Sequence, residues 1–374
     1  MSWSVCRLGD VLTLKRGHDL PAHSRQEGDV PVVSSSGITG RHKESKAKAP
    51  GVVTGRYGTI GEVFFLEEDY WPLNTALYVI DFKGNDPRFS AYFLRNILKD
   101  HQSEKAAVPG VDRNVLHEIN VCTPDVGTQK RITTILATYD NLIENNSRRM
   151  ALLEESARLL YREWFVRLRF PGYEHTPTVD GVPQGWQRVP ATEAIEINPK
   201  IKLSDDEEHW FVEMADLPSD SMVIQGAIMR EGRSGPKFCN GDTLFARITP
   251  CLENGKTGFV NFMTSGESGR GSTEFIVLRS KLVTAEFVYC LSRTYEFRGN
   301  AIKSMIGASG RQRVQESCFK KFMLYVPPPL ILELFSDFAQ PAFNKIKNLN
   351  AQNQKLRAAR DLLLPRLMSG ELIA

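Results

Sequence analysis

The side chains best equipped for chemistry in this sequence are cations set in loops rich in glycine and serine. Arg41-His-Lys-Glu-Ser-Lys-Ala-Lys48 carries four Lys or Arg against one acid and follows Ser34-Ser35-Ser36-Gly37. In Gly55-Arg56-Tyr57-Gly58-Thr59-Ile60-Gly61, glycines let a partner approach the backbone beside one arginine and one tyrosine. Farther along, Arg230, Arg233 and Lys237 precede Arg247 in Phe-Ala-Arg-Ile-Thr-Pro. Lys256 follows it, and Arg270 sits in Ser-Gly-Arg-Gly. From Arg298 to Lys321 six basic residues stand against one acid, Arg311 and Arg313 among them. An arginine fork matches guanine O6 and N7, while Ser, Lys and backbone amides hold phosphates. The candidate DNA contacts are therefore Ser35, Arg41, Lys46, Lys48, Arg56, Tyr57 and Arg113 in one half of the chain. In the other half they are Arg230, Arg233, Arg247, Lys256, Arg270, Arg311 and Arg313. A single basic loop also reads as solvated surface; like placement in both halves favours contact with a polyanion. Arg113 and Arg313, each closing a Gly-x-x-Arg turn, have a second reading as anchors to the helix that follows.

Catalytic signatures are missing from the chain. There is no GxxxxGK[ST] phosphate loop, no GxSxG and no HExxH. The amino-methyltransferase pair of FxGxG with Asn/Asp-Pro-Pro-aromatic is also absent, its nearest approach being Asn198-Pro-Lys. Seven histidines show no ligand spacing, and six cysteines form no CxxC pair. One rival pattern is Asp29 followed by Glu44-Ser-Lys46, which mimics the carboxylates and lysine of a metal nuclease. It has no counterpart in the second half, and Lys46 suits a phosphate equally well. The expectation is a non-catalytic chain with no metal and no cofactor of its own. No run of eighteen apolar residues exists, and the N-terminal stretch lacks the apolar core of a secretory signal, so a cytoplasmic protein with no membrane partner is expected. A net charge of +3 over 374 residues permits nucleic-acid binding without requiring it.

What must position these loops is legible as a repeat. Ile132, Leu136, Tyr139, Ile143, Asn146, Met150, Leu153, Ala157, Leu160 and Trp164 alternate by four and three, a coiled-coil seam. Phe335, Ala339, Ala342, Ile346, Leu349, Asn353, Leu356, Arg360, Leu363 and Leu367 repeat it 203 residues later, as Pro327 repeats Pro124. Each helix follows a globule rich in Gly, Pro, Ser and β-branched residues. The boundaries read 1–127 for a first globule, 128–168 for its helix, 169–328 for a second globule after a linker at about 169–183, and 329–374 for the last helix. The linker punctuates too often to hold an element.

Run antiparallel with matched ends, the seam partners sum to 499, so Asn146 meets Asn353 and fixes the register, because a slipped amide is left unsatisfied. The other arrangement leaves both asparagines solvated on helices that pair with other chains. Pro341 is expected to kink the last helix or restart it. Such a pair, about 48 Å from Ile132 to Trp164 at 1.5 Å per residue, would act as a ruler between two heads. The fold class expected is α+β: two pseudo-twofold-related α/β heads separated by a long antiparallel two-helix coiled coil. Duplex DNA, whose half-sites recur about every 34–36 Å on one face, is the polymer metered this way.

This organisation resembles the DNA-specificity subunit of type I restriction–modification systems across essentially the whole chain. The likeness is carried by Trp3 with Leu8-Gly-Asp, by Ile143-Glu-Asn-Asn-Ser-Arg-Arg-Met-Ala-Leu-Leu-Glu-Glu running to Arg162-Glu-Trp-Phe, and by the Leu-Pro-Arg-Leu-Met-Ser-Gly-Glu-Leu ending. Gly241-Asp-Thr-Leu-Phe-Ala-Arg-Ile-Thr-Pro-Cys-Leu-Glu-Asn-Gly-Lys is similar to one class of target-recognition domain, and the first globule looks like another. The resemblance implies that each head reads half of a bipartite double-stranded target. It also implies two docked methyltransferase subunits and two motor-nuclease subunits, with S-adenosylmethionine, ATP and Mg²⁺ on those partners. Glu154, Glu155, Arg158, Arg162 and Glu163 would then be partner-binding; otherwise they are solubilising charge on the helix pair. The reading from another class is a two-headed protein- or RNA-binding adaptor.

Overall fold

In a computed structural model, residues 3–56, 61–104, 112–204, 206–232, 234–308 and 310–374 are described; Tyr57 and Arg233 lie outside them. The chain is a mixture of α and β and divides into two units, residues 1–143 with 355–374 and residues 144–354.

In the first unit, Gly51–Gly55 carries Val52, Val53 and Thr54 and is buried along its length, as suits a central strand. It pairs antiparallel with Ala76–Asp81 and Val63–Leu66, and Thr13–Arg16 adds beyond Ala76–Asp81. Successive side chains leave on opposite faces. Val52, Leu77 and Val79 therefore meet Phe89, Phe93 and Leu94 of the helix Pro87–Glu104. Val53 and Tyr78 instead meet Val33 and Tyr70, beside a three-stranded sheet of Gly37–His42, Val30–Ser34 and Trp71–Pro72.

The second unit repeats this layering. Its first sheet runs Ile195–Ile197, Phe275–Ser280, Thr243–Ala246, Thr257–Phe259, antiparallel throughout and in the order found in the first unit. Ile276 and Leu278 pack towards the helix Ala285–Ser292 through Phe287 and Leu291. Phe275 and Val277 pack towards a second sheet through Val212 and Phe238. Each head is also closed by one strand pair: Trp3–Arg7 with Asn120–Pro124, and Gln187–Pro190 with Met323–Val326. The strand that opens a head is thus bonded to the strand that leads into the following helix.

Those helices are Val126–Tyr161 and Pro329–Met368. In the first unit Ile132 and Leu136 share a core with Leu364, Leu367 and Met368, and Asp140 pairs with Arg360 at 2.6 Å. In the second unit the Asn146 amide donates to Asn353 Oδ1 at 3.0 Å, Asn353 donates to Ser147 Oγ at 3.2 Å, and the Trp164 and Phe335 rings lie 6.4 Å apart. In both units the residue numbers fall along one helix as they rise along the other. Asn353 is fully buried and Asn146 nearly so. Asn146→Leu is accordingly expected to cost about 1–3 kcal/mol, by removing the amide donor to the buried Asn353 Oδ1, and adding Asn353→Leu should recover most of it. Urea-unfolding midpoints of the two variants check this; equal losses in both would remove the register role.

Two local expectations are corrected. The last helix runs through Pro341 without restarting. Phe335, Phe343 and Ile346 are buried around it, at about 1.5–3 kcal/mol each, which exceeds the roughly 3 kcal/mol a proline removes. The linker holds a small hairpin, Thr178–Val179 with Val182–Pro183, because Asp180 and Gly181 take positive φ (52° and 77°) as a tight Asp-Gly turn requires.

Candidate nucleic-acid interface

The shared strand order puts one arginine at the same place in each head. Gly51–Gly55 ends at Arg56, whose amide donates to the Thr75 carbonyl (3.0 Å) just before Ala76–Asp81 begins. Thr243–Ala246 ends at Arg247, whose amide donates to the Glu274 carbonyl (2.9 Å) just before Phe275–Ser280 begins. Both arginines are half-buried at the end of a central strand.

Around Arg56 the first head gathers aromatic and basic groups on the loop after Thr13–Arg16 and on the strand Trp71–Pro72. The His18 amide bonds the Pro72 carbonyl at 2.8 Å, and its ring nitrogen meets Tyr78 Oη at 3.2 Å. Burial, then neighbouring Lys15 and Lys46, push the His18 pKa below the usual imidazole value, which favours the neutral ring. Lys46 stands over the Trp71 ring, 5.0 Å from its centre, and remains exposed. Lys48 is paired with Asp69 at 2.6 Å. Arg41 is exposed on Gly37–His42 and donates to the Asp29 carbonyl. Ser35 is half-buried in the preceding turn. Arg113 is exposed as the first residue of the short helix Arg113–His117.

In the second head, Arg247 and Arg313 are brought together. Val314 donates its amide to the Arg247 carbonyl at 2.9 Å, and Ile248 bridges the Arg313 backbone. Glu274 lies between: Arg313 Nε donates to both carboxylate oxygens (3.0 and 2.9 Å), and Nη2 donates to one (2.6 Å). That fork holds the Glu274 carboxyl below the usual carboxylate range, so it stays charged at neutral pH. Arg311 is exposed on the same stretch. Lys256 is turned to the Met214 carbonyl at 2.7 Å. Arg230 stacks 3.4 Å over the Phe211 ring, with Glu213 3.5 Å from its guanidinium.

Two expected positions are corrected. Arg270 is only 3% exposed and donates to the Ser204 carbonyl at 3.3 Å. It lies in Ser268–Gly271, an interior strand of the second sheet, so its glycine neighbours serve sheet packing and not a surface loop. Glu154 is not on an outer helix face. It is 4% exposed, accepting from the Met222 amide at 2.8 Å and from Tyr289 Oη at 2.5 Å. Burial raises its pKa, opposed first by the Tyr289 hydrogen bond and then by the charge of Arg293. Arg293 also bonds Tyr289 Oη (2.9 Å) and the carbonyls of Ser219, Ser221, Gly255 and Thr257. The other helix charges stay outward: Glu155 with Arg158 at 3.4 Å, Glu163 with Arg167 and Arg169, and Arg162 exposed.

Glu274, Tyr289 and Arg293 are not signalled by a search for clustered cations. Glu274 is an acid inside a basic set, and a lone Arg in an apolar helix end gives no pattern. Among the described residues no group of three or more His, Cys, Asp or Glu could hold a metal ion, and no helix is long and apolar enough to cross a membrane.

Residues 1–155 match the model of the type I restriction modification DNA specificity domain. The chain is 24% identical over 298 residues to the type I restriction enzyme MjaIX specificity subunit of Methanocaldococcus jannaschii, covering 76% of this chain and 67% of that protein. It is 30% identical over 156 residues to the type I restriction enzyme EcoAI specificity subunit of Escherichia coli, covering 39% of this chain and 26% of that protein. The crystal structure of a type I restriction-modification system S subunit from M. genitalium superposes with a TM-score of 0.59 at 14% identity, covering 98% of this chain and 96% of that one.

Proposed function

We infer that the chain is a type I restriction–modification specificity subunit with a DNA-reading role, in which each head recognises one half of a bipartite duplex target. The observation that carries it is the recurrence of one strand order in both heads with an arginine at the same strand end, Arg56 and Arg247. A guanidinium there offers two donors to a base edge, while exposed Lys46, Arg41 and Arg311 suit phosphates, which fix orientation without carrying sequence. The specificity-domain match over residues 1–155 favours this role over a protein- or RNA-binding adaptor.

The helix pair supplies the second half of the reading. The two helices form an antiparallel two-helix coiled coil registered by Asn146 and Asn353, place the heads in a pseudo-twofold relation, and set the gap between half-sites. Two methyltransferase subunits dock on its outward charges, with Glu155, Arg158, Arg162 and Glu163 as contacts, and two motor-nuclease subunits join them for restriction. The chain supplies no catalytic group. S-adenosylmethionine, ATP and Mg²⁺ belong to the partners, as does the pocket for an extruded adenine. The assembly works in the cytoplasm.

Selection from randomised duplexes tests the role, using the full chain with its co-purified methyltransferase subunits. The expected result is a two-part sequence preferred about 10³-fold or more over scrambled duplex, with binding that weakens as salt rises. Equal affinity for every duplex would overturn it.

A further inference from the structure

We propose that Glu274 is a positioning residue: it holds Arg313 so that the open edge of the guanidinium faces the major-groove edge of a guanine in the second head's half-site. This rests on the DNA-reading role and goes beyond it by naming a base and the device that selects it.

A guanidinium has two edges that can donate a parallel pair of hydrogen bonds. In Arg313 the edge made by Nε and Nη2 is occupied by Glu274, through three contacts of 2.6–3.0 Å. The edge made by Nη1 and Nη2 carries no other bond among the described residues, and it is this end-on fork that meets O6 and N7 of guanine. The Arg313 side chain is 46% exposed while Glu274 is 23% exposed, so the sheltered carboxylate is the fixed member and the cation the presented one.

Both backbones are pinned. Arg313 exchanges hydrogen bonds with Ile306 in both directions (3.0 and 3.1 Å), and Glu274 accepts the Arg247 amide at 2.9 Å. The fork is thus oriented before any ligand arrives, which lowers the cost of ordering it on binding.

The carboxylate also decides which acceptor suits the fork. A phosphate would meet Glu274 as a like charge, and a phosphate contact needs no fixed plane. A guanine edge is neutral and planar, and it rewards the orientation that Glu274 imposes. Glu274 is engaged by Arg313 on both oxygens, which makes the cation and not the carboxylate the group presented to a base. In the first head Thr75 stands where Glu274 does, accepting the Arg56 amide, so no carboxylate is placed there to orient a fork.

The test is randomised-duplex selection with the full chain and its co-purified methyltransferase subunits, comparing wild type, Arg313→Lys and Glu274→Gln. Wild type is expected to demand a guanine at one position of one half-site. Arg313→Lys keeps the charge and the ion pair but removes the fork, and should lower that preference about 10- to 100-fold with every other position unchanged. Glu274→Gln should relax the same position and leave affinity for scrambled duplex unchanged or higher. A structural role would instead weaken all positions of the half-site together. That uniform loss, or a guanine preference untouched in both variants, overturns the assignment. A wild type that selects no half-site at all removes the DNA-reading role and this assignment with it.

Discussion

Arg293→Ala is expected to destabilise the second unit by about 3–5 kcal/mol, a large share of the roughly 5–15 kcal/mol that a domain has. One guanidinium satisfies the carbonyls of Ser219, Ser221, Gly255 and Thr257 and the hydroxyl of Tyr289. Tyr289 in turn donates to Glu154, which is 4% exposed on the helix Val126–Tyr161. Truncation removes the cation that bonds this network and leaves the buried carboxylate with its hydrogen bonds and only the weaker pull of Arg158. It also removes a donor from carbonyls of the 219–221 segment, of Gly255 and of Thr257 in the strand Thr257–Phe259. The Coulombic attraction is the smaller effect here; the desolvation of what remains decides the outcome. Glu154→Gln should cost less, because an amide oxygen still accepts from one donor.

The pH dependence separates these contributions. The pKa of Glu154 is raised on folding, so its contribution to stability is fully present below the ordinary carboxylate range. It is lost as pH rises through the elevated pKa. Glu154→Gln should remove that part of the slope, which starts at the ordinary carboxylate range and extends above it. Urea unfolding followed by tryptophan fluorescence, across that range, reads both effects. A midpoint for Arg293→Ala within about 1 kcal/mol of wild type would contradict the account.

The second large effect concerns length. Seven residues inserted between Ile143 and Glu144, with seven more between Gln354 and Lys355, keep every seam residue facing its partner. They lengthen the pair by about 10 Å. At roughly 3.4 Å per base pair the preferred gap should grow by about three base pairs, with both half-site sequences unchanged. Affinity for the original gap should fall about 10³-fold, towards that for scrambled duplex. Half-sites that change while the gap stays fixed would dispose of the spacer role.

The parts of this molecule governed by periodicity are readable along the chain. Alternating four-three spacing marks both long helices, and matching their ends antiparallel sets Asn146 against Asn353, whose side chains hydrogen-bond at 3.0 Å. Side chains whose surroundings come from distant segments are not readable in this way. Glu154 points away from the seam, and on an isolated helix pair that direction is solvent; here Met222 and Tyr289 cover it. Arg270 sits among glycines that read as an open loop, yet those glycines let Phe238 and Phe275 pack against the strand. Pro341 shows the opposite case, a local breaker overridden by buried neighbours. Glu274 is silent in sequence because its meaning lies in Arg313, 39 residues away.

The most direct measurement is the affinity of the full chain, with its methyltransferase subunits, for a duplex series that holds both half-sites constant and varies only the gap. A rigid two-headed reader gives one sharp optimum, with affinity dropping about 10³-fold at gaps a few base pairs longer or shorter. Equal binding at every gap would show that the heads act independently, and the helix pair would then have no part in recognition.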